Sequence, residues 1–233
     1  YALLRGARER GVPFQSSSGQ PTGAVYGFLM SVRKLLDDHQ PEFVGIAFDE
    51  PGRKTVRHDE YPAYKANRKP MPDDLVAQVP FIRRVAQALN IPFVSADGFE
   101  ADDVIGTLAR LAVRDGLEVV LVTGDKDMYQ LLDEHTSMLR IRTETSMVRA
   151  ADVATEFGAR PDPVVDVLAL WGDVSDNIPG VRGIGEKGAK ALVGTYGNLD
   201  GIYDHLDELK PGQARKLRDA RADAELSKRL ATI

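Results

Sequence analysis

The 233-residue sequence contains no cysteine. That single absence removes disulfides, thiolate zinc sites, iron–sulfur ligation and cysteine nucleophiles, and it agrees with a reducing compartment. The four histidines form no cluster. No run approaches the roughly 18 uninterrupted apolar residues of a membrane span. Tyr1 to Arg10 also lacks the apolar stretch of a signal peptide. Internal repeats and low-complexity tracts are missing too. What remains reads as a soluble, intracellular chain with no membrane contact. Its 43% apolar and 28% charged residues are ordinary for a globular protein, so disorder and fibrous repeats are excluded. The length suffices for one large domain, or for one domain with a small appendage.

The net charge of −5 argues against an anionic partner until its distribution is considered. Between Gly52 and Pro70 stand Arg53, Lys54, Arg57, Lys65, Arg68 and Lys69 against only Asp59 and Glu60, a local charge of +4. Binding to phosphate depends on such stripes more than on the total. The acids group instead as Asp102 with Asp103, Asp125 with Asp127, and Asp173 with Asp176.

Phe43 to Phe48 and Glu118 to Thr123 are short apolar, β-rich runs and read as buried strands. Between them lie a short strand at Ile91 to Val94 and helical stretches at Asp73 to Leu89 and Ala101 to Arg114, the first divided by Pro80. An earlier helix follows the Gly19-Gln20-Pro21 turn, with Val25, Phe28, Leu29, Val32 and Leu35 spaced for one face. This alternation predicts an α/β fold with a mostly parallel central sheet flanked by helices. After about Arg149 the strand signal fades. The expected organisation is an α/β core over 1–149, with a basic segment at about 50–72, and an all-helical module over 150–233. The helical module contains a glycine-punctuated hairpin from Asn177 to Lys190.

Both apolar strands end in acids: Asp49 after Phe48, and Asp125 and Asp127 after Thr123-Gly124. Sites in open parallel sheets form outside such strand ends. Glu100, Asp102 and Asp103 open the next helix, where the positive helix end tolerates them. Asp173 and Asp176 are three apart on an expected helix, hence on one face. Each group alone is also an ordinary helix start or turn. Together, carboxylates about 4 Å apart would repel by roughly 4 kcal/mol per pair at an effective dielectric of 20, so a converging set needs cations. Hard oxygen donors without Cys select magnesium or manganese, and two such ions point to phosphodiester hydrolysis or phosphoryl transfer. In Tyr61 to Arg68, rings that stack on bases alternate with cations that hold phosphates; the alternative is a solvated loop with half-buried tyrosines. The glycines of Pro179 to Gly185 let backbone amides approach phosphate, beside Lys187 and Lys190, or simply make a helix–helix turn.

In order along the chain, Phe48-Asp49, Tyr64-Lys65-Ala66-Asn67-Arg68, Met71-Pro72-Asp73-Asp74-Leu75, Glu100-Ala101-Asp102-Asp103, Thr123-Gly124-Asp125-Lys126-Asp127, Gly172 to Val181 and Gly183 to Lys187 resemble the 5′-nuclease domain of bacterial DNA polymerase I and, more broadly, the flap endonucleases. The resemblance implies a PIN-like core, a helix-three-turn-helix module and a bacterial, cytoplasmic, nucleoid-associated nuclease. It would cut branched, nicked or 5′-flap DNA and RNA-primed DNA in primer removal, replication and repair. By the same resemblance Asp49, Glu100 and Asp102 would hold one Mg2+ or Mn2+ ion, and Asp102, Asp125, Asp127 and Asp176 the second, with Asp103 and Asp173 in support. Lys65 and Arg68 would steady the scissile phosphate, and Tyr64 would stack on an unpaired base. The basic segment would form an arch. Gly180, Val181, Gly183, Gly185, Lys187 and Lys190 would grip duplex backbone, with K+ on the hairpin carbonyls.

Members of that family open with an apolar strand ending in Asp, a further ligand of the first metal, and Tyr1 falls just beyond it. That carries the alternative of a catalytically impaired branched-DNA-binding fragment. A more distant alternative is a small-molecule magnesium phosphatase, which has no use for a basic stripe or a glycine hairpin. A polymerase following Ile233 in the same full-length chain and a stand-alone nuclease are both readable.

Overall fold

The computed structural model describes residues 14–49, 52–141, 145–158 and 160–233. The readings of Tyr1 to Arg10, and of a strand expected before Tyr1, lie outside the described residues. Along the chain run helix α1 (Gly23–His39), strand β1 (Ile46–Ala47), helices α2 (Val56–Glu60), α3 (Asp73–Val76) and α4 (Val79–Ala88), strand β2 (Phe93–Val94), helix α5 (Ala101–Arg114) and strand β3 (Val119–Val122). After a 3-10 turn at Lys126–Leu131 come strands β4 (Thr136–Ile141) and β5 (Thr145–Val148) and helices α6 (Ala150–Glu156) and α7 (Val164–Trp171). The rest is helical, with α8 (Glu186–Tyr196), α9 (Leu199–Asp204), a 3-10 turn at Leu206–Glu208, α10 (Pro211–Asp219) and α11 (Arg221–Ala231). The α/β class with a helical C-terminal part is the expected one.

The chain parts into two compact units that interleave in sequence and cross the expected 149/150 boundary. One holds the described residues of Tyr1–Pro51 together with Lys69–Val104, and the other holds Gly52–Arg68 with Ile105–Ile233.

In the first unit β1 and β2 pair in parallel, Ile46 against Phe93 and Ala47 against Val94. The ladder is shorter than the Phe43 to Phe48 run, and Phe43 is exposed. Val32, Ala86 and Ile91 form the buried centre, with Phe28, Leu36, Val44, Ile46 and Phe93 packed on it. The break that Pro80 predicts falls at Ala77 and Gln78, between α3 and α4. It has a use. Thr22, at the start of α1, makes no side-chain cap, and the buried Gln78 replaces it by accepting from the Ala24 and Val25 amides at 2.8 and 3.3 Å.

In the second unit β3 pairs in parallel with β4, and β4 pairs antiparallel with β5. The β4–β5 hairpin was not expected, because its Thr, Ser and Arg positions interrupt the apolar run. β3 is buried on one face only: Leu121 points inward, while Val120 and Val122 are exposed. Helix α7 is the centre of this unit, with Val164, Val167, Leu168, Ala169 and Leu170 all buried. Its buried Asp166 is compensated by the Leu199 amide at 3.1 Å and the Lys228 ammonium at 2.6 Å.

Arg57, one of the six cations of the basic stripe, is taken into the fold. It is 7% exposed and reaches the end of α11, donating from Nε to the Leu230 carbonyl at 2.8 Å and from a terminal nitrogen to the Thr232 carbonyl at 2.6 Å. These are carbonyls that a helix end leaves without partners. Arg57→Leu is expected to cost about 1.5–3 kcal/mol, the range for hydrogen bonds to charged groups. Thermal unfolding reads this as a loss of roughly 2–4 °C per kcal/mol for a chain of this size.

Candidate functional site

In the first unit Asp49 leaves β1 and accepts from the Ala101 amide at 2.7 Å, which ties the strand-end acid to the start of α5. Asp103 turns back to accept from the Glu100 amide at 2.9 Å, capping the same helix. Glu100 is buried, and Asp102 lies in the first turn beside Asp103. Asp49 is thereby held at the first turn of α5, the turn that also carries Asp102 and Asp103.

In the second unit Asp125 leaves β3 and caps the 3-10 turn, accepting from the Asp127 amide. Asp173 and Asp176 do not share a helix face. Helix α7 ends at Gly172, and a tight loop follows, closed by paired backbone bonds between Asp173 and Ile178 at 3.0 and 2.8 Å. Glycine is required where this loop closes, because Gly172 and Gly180 both have positive φ. A Cβ on Gly180 would lie 2.5 Å from the Gly172 nitrogen.

Residues 61–68 are fastened onto that loop. The Lys65 amide donates to the Asp176 carbonyl at 2.8 Å, Asn67 donates to the Val174 carbonyl at 2.6 Å, and Asn177 donates to the Ala63 carbonyl at 2.7 Å. Lys65 and Asn177 both adopt left-handed backbone to make these joins. The buried carboxylate of Asp176 then receives Lys65 Nζ at 3.5 Å, the Tyr64 hydroxyl at 3.3 Å and the Arg68 guanidinium. Tyr64 is 3% exposed, with His58 edge-on to its ring. This corrects its assignment as a base-stacking platform: the core of the unit claims the ring, and Asp176 claims the hydroxyl.

Asp127 is the most perturbed of the acids. Burial first, and then the charge on Asp125, push its carboxyl up to about 7, with Asp173 and Asp176 adding and Lys126 opposing. Its Oδ1 is buried without a hydrogen-bond partner, an acceptor that a cation would satisfy. For Asp173, burial works upward, but hydrogen bonds from Ser175 and the Lys126 ammonium bring its carboxyl below the ordinary value. The all-carboxylate donor set suits a hard divalent ion. Among the described residues, no three acidic or histidine side chains are gathered closely enough to hold a metal.

The hairpin divides by role. The Gly180 amide donates to Ser227 Oγ at 2.9 Å and the Val181 amide to the Leu170 carbonyl at 2.8 Å, so both are committed to the fold rather than offered to phosphate. Gly183, Gly185 and Lys187 instead line an open groove of about 570 Å3 at the start of α8, together with Gln213 and Lys216. Lys190 is partly occupied, paired with Glu186 at 2.6 Å and lying over the Phe157 ring. Lys216 and Gln213 were missed in the sequence because they come from α10, which carries no motif.

The model for the 5′-3′ exonuclease N-terminal resolvase-like domain matches residues 2–158, and that for the 5′-3′ exonuclease C-terminal SAM fold matches residues 159–233. DNA polymerase I of Caldicellulosiruptor bescii is 44% identical over 94% of this chain and 26% of its own length. The thermostable DNA polymerase I of Thermus thermophilus is 40% identical over 94% and 26%. The chain thus spans about a quarter of the length of these relatives. Among solved structures, T5 5′-exonuclease with bound zinc superposes with a TM-score of 0.79 at 20% identity, covering 99% of this chain and 86% of that one. The catalytic core of Rad2 in complex with DNA substrate gives 0.58 at 18% identity, covering 96% and 69%. At such identities the likeness speaks for the fold. With both family models matched end to end and 40% or more identity to polymerase I relatives, the chain belongs to the 5′-3′ exonuclease family, as its resolvase-like domain followed by its SAM fold.

Proposed function

We propose that the chain is a structure-selective 5′-nuclease that hydrolyses phosphodiesters of branched, nicked or 5′-flap DNA, RNA-primed DNA included, with magnesium or manganese as cofactor. The observation that carries this reading is the Lys65 and Arg68 pair on the Asp176 carboxylate, because cations arranged for one oxyanion suit another. Asp49, Glu100, Asp102 and Asp103 would hold one ion, and Asp125, Asp127, Asp173 and Asp176 another. Divalent ions held there would supply a bound water of lowered pKa and positive charge beside the leaving oxygen. Lys65 and Arg68 transfer from Asp176 to the scissile phosphate and stabilise the charge developing on its oxygens. Tyr64 keeps the Asp176 loop aligned with them. Gly183, Gly185, Lys187 and Lys216 grip duplex backbone at the positive start of α8, without contact to base edges, and the hairpin carbonyls would take K+. The products are a 5′-phosphate and a 3′-hydroxyl. A second reading, a branched-DNA-binding fragment that does not cut, draws support from the absence of a ready three-acid group among the described residues.

A 5′-labelled flap duplex separates the two. Junction-specific product with magnesium, and none with chelator or calcium, is expected of the nuclease, whereas tight binding in calcium without product in magnesium belongs to the second reading. Asp125→Asn should abolish cleavage and spare DNA affinity; equal loss of both removes Asp125 from metal binding. Lys65→Ala should slow single-turnover cleavage by about 10²-fold or more, the scale of one lost transition-state contact, with a smaller effect on binding. An unchanged rate takes Lys65 out of the site. Asp127 provides a pH test. With its carboxyl raised from 3.8 to about 7, the folded protein is progressively penalised relative to the unfolded chain as pH climbs through that interval. In metal-free buffer, Asp127→Asn should therefore match the parent Tm below pH 3.8, gain on it up to about pH 7, and hold a constant gain above. A gain independent of pH would contradict the assigned titration.

A further inference from the structure

We propose that Lys126 is a built-in counter-ion that a divalent metal must displace from Asp173, and that Trp171 registers the exchange. The inference rests on the reading of the 125–127 and 173–176 acids as a metal site. Lys126 lies between Asp125 and Asp127 in sequence, yet its side chain crosses to the other loop. Its Nζ is 3.3 Å from Asp173 Oδ2 and 4.1 Å from the centroid of the Trp171 ring. The opposite oxygen of Asp173 is already engaged, receiving the Ser175 amide and the Ser175 hydroxyl at 2.7 Å each. The carboxylate therefore has donors on both oxygens, and of these only the ammonium is easily withdrawn. Two donors come from the adjacent loop backbone and side chain, while the third sits at the end of a flexible four-carbon stem.

Two contacts fix where that ammonium sits. The carboxylate attracts its charge, and the face of the indole attracts it by the ring quadrupole. A cation in such a cradle does for Asp173 what Lys65 and Arg68 do for Asp176: it balances a half-buried carboxylate when no metal is present. A doubly charged ion accepted by the same carboxylate repels the ammonium at close range and competes with it for Oδ2. With about a third of its side chain exposed, Lys126 has room to swing outward. Occupied carboxylates also account for the lack of a gathered three-acid group among the described residues, since Asp173 and Asp176 are each turned toward an internal cation. The device holds the acidic loops together before metal arrives, at the expense of metal affinity.

The sequence contains one tryptophan, so its emission reports this place alone. Magnesium is titrated into the 233-residue chain and followed in parallel by tryptophan fluorescence and calorimetry, for the parent, Lys126→Met and Lys126→Arg. The parent is expected to change emission with the same half-saturation that calorimetry gives. Lys126→Met should bind magnesium about fivefold more tightly, the equivalent of about 1 kcal/mol for one exposed-to-partly-buried ion pair, and its emission should stay flat. Lys126→Arg, which keeps the charge, should restore both the parent affinity and the response. Calorimetric binding with unchanged parent emission overturns the displacement and leaves the metal reading intact. Weaker binding by Lys126→Met, or an undiminished emission change in it, overturns the counter-ion role. No calorimetric binding to the parent removes the metal reading and this inference with it.

Discussion

The structure of the second unit depends on how it neutralises its own acids. Burial first, and then the charges of Asp125, Asp173 and Asp176, lift Asp127 out of the ordinary range. Like charges near 4 Å cost roughly 4 kcal/mol per pair at an effective dielectric of 20, and folding has little stability to spare against such terms. The fold answers by bringing cations from distant stretches of sequence: Lys65 and Arg68 for Asp176, Lys126 for Asp173. The left-handed backbone at Lys65 and Asn177 and the paired backbone bonds of the 173–178 loop all serve these meetings. Cations supplied internally are also cations available to a phosphate. Under the proposed function, stability without ligand and recognition of an anionic ligand would use the same side chains.

Helix α11 holds the arrangement in register. Three consecutive residues reach three different places: Ser227 takes the Gly180 amide of the hairpin, Lys228 takes Asp166 of α7, and Arg229 pairs with Glu60 of α2. Beyond them residues 230–233 are clasped by Arg57, and by Gln130 of the 3-10 turn, which bonds both the Ala231 carbonyl and the Ile233 amide. One short helix thus connects the glycine hairpin, the basic segment and the turn that carries Asp127.

Most of this was readable from the sequence where local rules govern. The Ala101–Arg114 helix, the division at Pro80, the helix-capping acids and the glycine hairpin follow from propensity and turn chemistry, and each is where those rules put it. The family was legible for another reason: several short motifs occur in order, and both family models match the chain. What escaped were decisions made by tertiary contact. Tyr64 and Arg57 sit in a stretch that reads as an exposed basic loop, and only packing shows that one ring and one guanidinium are taken inward. The helix expected through Asp173 and Asp176 failed because Gly172 ends α7 one residue earlier, a stop whose signal was present but was read as part of a motif. The β4–β5 hairpin escaped because polar residues break up its apolar positions, Thr136, Ser137 and Arg140 in one strand and Thr145 and Ser146 in the other.

The crossing of Gly172 and Gly180 closes the stretch between them into a ring. Its ends touch backbone to backbone with no room for a side chain, and the Asp173–Ile178 bonds remove the remaining slack. A ring of this kind neither stretches nor accepts an extra residue without coming undone. The interval from the hairpin to the two carboxylates is therefore a fixed length. Mechanically it is a gauge block rather than a hinge, setting one spacing between the hairpin and Asp173 and Asp176.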